Sequence, residues 1–434
     1  MKIYIKLVFI SSLAFISAGI NTPGHEEPSP ARLLKAEKNI EKAHTEIWKK
    51  FIDQYNVLID FTDVDGSYDR PTREEFLENK PNALAWWTPV ENGSMFNGLY
   101  LDGICERWMQ TKNKSDKEKA ARLVKGLLFL ASVGDTPGFI ARSVATDGKT
   151  PPAMGSNDQS SPWFYGLWRY LQTSMPDKKE REKIIAKMTE VANVYISTDW
   201  KIPATSYSPS KFRNSFASFN WEGAPRILFI SKALYQLTSD GKWNSIYKKA
   251  MHEAGGEENK TRLQLCREGM HFEKNKVNRW TGVSGVVDLH ALWEMETDPE
   301  LKRIYEEGLN ASAKSAAEGL KLWHQFDSNN QQKFEKNWRL LNQWWKPQRS
   351  EQDALDVADT QVKELVKMSP RRVQELHYMR EPIWMSWIVT MAADKNITAQ
   401  HKSEIIDMLG YFDFPQMRYS QFFPVEVVWY RLKL

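Results

Sequence analysis

The stretch from Gly134 to Leu171, GDTPGFIARSVATDGKTPPAMGSNDQSSPWFYGLWRYL, is a long polar loop that ends in the acid Asp158 and runs into an aromatic segment. Loops of this length in compact domains bind something or are disordered, and the rings of Trp163, Phe164, Tyr165, Trp168 and Tyr170 argue against disorder. Aromatic faces beside a carboxylate suit a sugar, whose C–H face packs on a ring while its hydroxyls meet polar groups. A second acid, Asp102, stands between Leu101 and Gly103 in an apolar run, where a charge is costly unless it has a partner or a function. Each acid also has a purely structural reading. Asp102 could be a cap or an ion pair with Arg107, and Asp158 could cap the helix that follows Ser160 and Ser161.

Further groups extend the candidate binding surface. Asp135 and Arg142 lie in the same loop, and Arg142 is suited either to a bidentate pair with a substrate carboxylate or to anchoring loop backbone. Ser218-Phe219-Asn220-Trp221-Glu222-Gly223-Ala224-Pro225-Arg226 heads an apolar helix. There Glu222 is favoured by the helix dipole, and Asn220, Trp221 and Arg226 form a plausible sugar-binding group. Trp86 and Trp87, in the loop before Pro89, and Trp163 add rings to the substrate-binding set. Asp288 and His290 fall in an apolar helical stretch, which suits a core or capping role. His252-Glu253 lacks the second histidine of a zinc-protease helix, and Glu268 with His271 has no evident companion ligands, so no metal is expected. No cofactor is expected either: the chain has no phosphate loop, no dinucleotide fingerprint and no G-x-S-x-G elbow.

The elements that must position these groups read as helices. Periodicity interrupted by Gly, Pro, Asn and Asp predicts helices over 30–57, 97–111, 115–133, 161–174, 178–198, 222–239, 243–254, 258–270, 281–296, 299–325, 331–344, 352–368, 382–394 and 400–410, with no convincing strands. Ser115 with Glu118 reads as a capping box, and Gly410 as a helix stop. Short turns on one side and long, acid-bearing aromatic loops on the other predict an all-α fold of paired helices in concentric rings, an (α/α)6 toroid, as a single domain over 21–434. No self-similarity at a fixed period supports a solenoid.

Composition sets the outer limits. The 434 residues, 41% of them hydrophobic, can bury a large core, and 59 basic against 55 acidic residues are scattered without the stripe of a nucleic-acid binder. Lys2 and Lys6, the apolar run Leu7–Ile16 and the small residues Ser17, Ala18 and Gly19 have the layout of a secretory signal peptide over 1–20, which predicts a periplasmic or secreted protein. The run is too short to span a bilayer, and no later segment approaches about 20 apolar residues. Cys105 and Cys266 could form one disulfide, but two thiols in helical patterns are more often buried and free.

The segments N-G-L-Y-L-D-G (Asn97–Gly103), G-D-T-P-G-F (Gly134–Phe139) and S-N-D-Q-S-S-P-W-F-Y-G-L (Ser156–Leu167) together resemble inner-helix entries of the six-hairpin glycosidase superfamily, loosely over the whole mature chain. The resemblance is to unsaturated glucuronyl and rhamnogalacturonyl hydrolases and their uncharacterised relatives from gut bacteria. It implies an exported glycoside hydrolase acting on oligosaccharides or polysaccharides. One carboxyl would donate a proton and another would serve as base or nucleophile. Asp158 and Asp102 are then the pair, with Asp158 protonating the C4=C5 bond of an unsaturated uronic acid and Asp102 activating water, or the reverse. Two alternatives stay open. A polysaccharide lyase on the same toroid would use an Asn or Arg with a base such as Tyr207 or His271, and a non-catalytic glycan-binding protein would keep the rings alone.

Overall fold

The computed structural model describes residues 27–271 and 280–433, so the expected signal peptide lies outside the described residues. The fold is mostly helical. Its α-helices are α1 (Pro30–Glu46), α2 (Arg73–Leu77), α3 (Gly93–Thr111), α4 (Lys114–Leu130), α5 (Asn157–Leu171), α6 (Lys178–Ser197), α7 (Ala224–Thr238), α8 (Gly241–His252), α9 (Arg262–Glu268), α10 (Val283–Met295), α11 (Pro299–Ala317), α12 (Glu351–Met368), α13 (Arg371–Val373), α14 (Glu381–Thr390), α15 (Lys395–Leu409) and α16 (Val425–Leu432). Two short antiparallel hairpins, Lys201–Pro203 with Phe212–Ser215 and Ala254–Gly255 with Lys260–Thr261, are the strands the periodicity did not predict. Among the described residues no helix is long and apolar enough to cross a membrane.

The helices fall into two physical classes. In α5, α7, α10, α14 and α16, and in α3 as far as Trp108, most side chains are buried, polar and charged ones among them. By contrast α4, α6, α11, α12 and α15 bury one face and leave Lys and Glu on the other. Each buried helix packs against a one-sided neighbour: α3 on α4, α7 on α8, α10 on α11, α14 on α15 and α16 on α1. The buried helices also touch one another in the order α16, α3, α5, α7, α10, α14 and back to α16.

Glycine fixes the closest of these contacts. A Cβ on Gly98 would lie 2.0 Å from the Pro162 carbonyl oxygen and one on Gly166 2.4 Å from that of Gly98, so α3 and α5 meet backbone to backbone. The paired residues ascend together along both helices, from Ser94 and Gln159 to Asp102 and Tyr165, so α3 and α5 run parallel and start at the same level.

Several predicted boundaries shift for local reasons. The capping box expected at Ser115 is replaced by Asn113, whose side chain accepts from the Ser115 N–H. Gly410 does close α15, with an ordinary negative φ of −83°. The helix expected over 331–344 is mostly extended and forms only a 3-10 segment, Trp338–Trp344, pinned where Trp338 Nε1 donates to the Asp69 carbonyl at 2.8 Å. Cys105 and Cys266 are both buried and free, as expected.

Candidate active site

Capping separates one face of the molecule from the rest. The one-sided helices begin conventionally, with Ser29, Asn113, Asp177, Asp298, Ser350 and Asp394 each accepting a backbone N–H of the first turn. At α3, α5, α7, α10 and α16 the residue before the helix supplies no side-chain cap, although Gln159 Oε1 of α5 accepts the Met95 N–H in the first turn of α3 at 3.1 Å, and α14 continues from a π-helical stretch, Gln374–Arg380. The potential cap Ser156 is diverted, its Oγ accepting from Arg142 Nη2 at 3.1 Å. These helix starts lie together. Asn92 Oδ1 accepts from Gln159 Nε2 at 3.0 Å, joining α3 to α5, while Trp280 before α10 packs edge-on against Phe96 of α3 and Trp384 of α14. Phe423, before α16, meets the same two rings. First-turn N–H groups and the positive ends of several helices therefore face one region, which favours carboxylates there.

Arg226 is the hub of that region. Its guanidinium, 1% exposed, donates from Nη2 to Glu222 Oε1 at 3.0 Å, to Ser284 Oγ at 3.0 Å and towards Asp158 Oδ1 at 3.4 Å. One nitrogen thus draws together the first turns of α5, α7 and α10. Asp158 and Glu222 keep 32% and 28% of their side-chain surface, so both can meet a ligand. Burial pushes the Glu222 carboxyl up, Arg226 pulls it down and the Asp158 charge pushes it up again, to about 7. Behind them Asp288 is fully buried and its Oδ2 accepts the Ser161 hydroxyl, while Oδ1 has no hydrogen-bond partner. Burial raises this carboxyl to about 7, against the hydroxyl and Arg226.

The other predicted site residues divide. Arg142 is buried and spends its donors on the Met154 and Glu91 carbonyls and the Ser156 hydroxyl, so it anchors the loop and lends the region charge without presenting a free fork. Burial, with Arg213 nearby, lowers it to about 9. Trp87 and Trp86 meet edge-on on the same side of the molecule, with the Arg213 guanidinium 5.5 Å from the Trp86 ring. Trp221 is half-buried next to Glu222, its ring close to Gly282, whereas Asn220 folds back to accept the Gly223 N–H at 2.7 Å.

Three expectations are corrected. Asp102 is not at this face: its carboxylate is fully buried between Arg169 Nε at 2.8 Å, Arg431 Nη2 at 2.9 Å and the Tyr165 hydroxyl at 2.8 Å. Tyr165 and Arg169 lie seven or more residues beyond Asp158 along α5, about 10 Å or more at 1.5 Å per residue, so the two acids share no site. Burial pushes the Asp102 carboxyl up, but Arg431 and Arg169 together hold it below its ordinary value. Its partner is not Arg107, which pairs with Asp116 and Glu41. Trp163 is wholly buried, with Nε1 donating to the Leu127 carbonyl at 2.8 Å, and is core. Asp135 sits in an exposed turn, accepting from the backbone N–H and hydroxyl of Ser206, away from the acids.

Sequence reasoning missed Glu91, Asp60, Arg213, Trp280 and Arg380. Glu91 and Asp60 precede helices in loops where acids are ordinary, and nothing local marks them. The one weak signal was Glu91-Asn92, an acid and a helix-start residue just ahead of a largely buried helix. No family model matches the chain, and no curated protein matches it in sequence.

Proposed function

We propose that this protein is an exported glycoside hydrolase, built as an (α/α)6 toroid, with its active site where the inner helices begin. The alternation of fully buried and one-sided helices, and the cyclic order in which the buried ones touch, support the toroid. The observation that carries the chemistry is the single Arg226 nitrogen between Asp158 and Glu222, two acids that remain accessible at uncapped helix starts. Glu222, with a carboxyl near 7, suits the proton donor to a leaving glycosidic oxygen or to the C4=C5 bond of an unsaturated uronic acid. Asp158, ion-paired to Arg226, suits the carboxylate facing the positive charge that develops on the sugar. Glu222 therefore takes the place that the resemblance gave to Asp102. The lyase reading has less support, since the Tyr207 hydroxyl is engaged with the Pro151 carbonyl and burial raises it further from use as a base.

The test is turnover of lyase-generated unsaturated oligosaccharides, followed by loss of the uronyl absorbance, and of saturated glycans, followed by release of reducing ends. Asp158→Asn and Glu222→Gln should each lower the rate about 100-fold or more at unchanged melting temperature within a few degrees. Absorbance that rises on polyuronates would make the protein a lyase, and no turnover of either class by the unmodified protein would end the hydrolase reading.

A further inference from the structure

Beyond the Asp158 and Glu222 pair, the same face holds a third acid in a built setting. Glu91 ends the loop before α3 and keeps part of its surface exposed. Its Oε2 accepts the Trp87 N–H and its Oε1 accepts from Asn92 Nδ2 at 3.1 Å. Trp87 reaches this position at φ 73°, a left-handed conformation that a bulky residue adopts only when its surroundings impose it. The indole contributes to that restraint, with Nε1 donating to the Ala358 carbonyl at 3.0 Å.

Asp60, fully buried behind Glu91, accepts from the Asn92 N–H at 2.9 Å and from its Nδ2 at 2.7 Å. Through Asn92 and Gln159 this assembly is tied to the first turn of α5, at the residue next to Asp158. Arg142 bridges the same gap from below, donating to the Glu91 carbonyl at 2.9 Å and to Ser156 beside α5. The charged and titratable groups around Glu91 are Asp60, Arg142, Arg372, Arg380 and Tyr419. Burial raises the Glu91 carboxyl to about 7, against the Trp87 N–H, Arg142 and Arg372, and raises Asp60 well above its ordinary value, with Glu91 as the second cause.

We propose that Glu91 is the catalytic base that activates water in the hydrolysis described above, acting on the side of the substrate opposite Glu222, with Asp60 as its positioning residue. The sidedness follows from the helices: α5, bearing Asp158, packs against both α3 and α7, which carry the two outer acids at their starts. The inference rests on the hydrolase reading. In the step, a water proton passes to the Glu91 carboxylate as the water oxygen bonds to the sugar carbon. The glycosidic bond breaks with its electron pair on the leaving oxygen, which takes the Glu222 proton. For an unsaturated uronic acid, the proton from Glu222 adds to C4 as water adds at C5.

A base must be deprotonated to act, so activity should rise with pH through the Glu91 titration, giving the acid limb of a bell whose alkaline limb belongs to Glu222. The experiment measures the pH dependence of kcat/KM for the full chain and for Glu91→Gln, Glu91→Asp and Asp60→Asn, each checked for an unchanged melting transition. Glu91→Gln should lose about 100-fold or more in kcat and lose the acid limb, while Glu91→Asp, if Gln fails to fold, should keep the limb at a displaced pH. Asp60→Asn should lower kcat several-fold with KM and the acid limb near their unmodified values, because it disturbs the acceptor that holds Asn92 against Glu91 without taking a charge away. A folded Glu91→Gln protein with the acid limb intact overturns the assignment of Glu91 and leaves the hydrolase standing. An unmodified protein without turnover overturns both.

Discussion

Replacing Asp288 by Asn should stabilise the protein at alkaline pH and leave it nearly unchanged in acid. The carboxyl is fully buried, with one hydroxyl donor to Oδ2 and none to Oδ1, and burial lifts it from 3.8 to about 7. The native state therefore holds this proton in a window, from about pH 4 to 7, where the unfolded chain has released it. Native protein binds more protons there, so stability falls as pH rises through the window and levels off above it. About 3 pH units at 1.36 kcal/mol each set an upper figure of about 4 kcal/mol, and relaxation of the surroundings brings the expected effect to about 2–4 kcal/mol. Asn keeps the acceptor for Ser161 and never ionises. Glu91 and Glu222 titrate in both proteins, so their contribution cancels in the difference. Unfolding entropy of roughly 0.9 kcal/mol per degree for a chain of this length converts about 3 kcal/mol to about 3 °C. Melting curves of both proteins from pH 4.5 to 8.5 would show the difference opening above about pH 5. A difference that stays constant over that range would refute the buried, protonated carboxyl.

Two further substitutions probe the framework that holds the site. Asp102→Asn should cost about 3–5 kcal/mol, because Arg169 and Arg431 stay buried without their carboxylate, yet the folded fraction should retain its turnover; lost turnover at unchanged stability would return Asp102 to the active site. Gly98→Ala should cost about 3 kcal/mol or more, read as a lowered melting temperature or insoluble protein, since its Cβ would overlap the Pro162 carbonyl; a variant that melts with the unmodified protein would mean α3 and α5 do not touch there.

Legibility followed the physics of each element. One-sided helices such as α6 and α12 announce themselves through an apolar stripe and a side-chain cap, and their predicted limits fall within a residue or so of those observed. The short α16 was not predicted, because its 8 residues make barely two turns, too short a window for periodicity to mark a helix. Among the candidate acids, Asp158 and Glu222 stand out in the sequence because polar helix starts sit beside aromatic residues. Asp102 was misread because a lone acid in an apolar helix looks the same whether it serves a ligand or an ion pair. Its partners Arg169 and Arg431 are distant in sequence and meet it only once α5 and α16 pack on α3. Glu91 depends in the same way on Asp60 and Arg142, which only the fold assembles around it.

The contrast between Asp102 and the acids at the helix starts explains why the proposed chemistry is assigned to one end of the buried helices. Around Asp102 each carboxylate is matched by guanidinium groups, and Arg169 alone reaches Asp102, Glu106 and Glu294. That arrangement holds charge in place and leaves no proton to exchange. At the opposite end Arg226 pairs with Glu222 and Asp158 while Arg142 is committed to backbone carbonyls, and this supply falls short of the burial cost at Glu91, Glu222 and Asp288. All three carboxyls consequently titrate near neutrality, two of them at the surface of the face. A framework selected for stability alone would cap these helices as it caps the outer ones. Acids left near pH 7 on an accessible face are what the proposed site needs in order to move protons across a polar substrate.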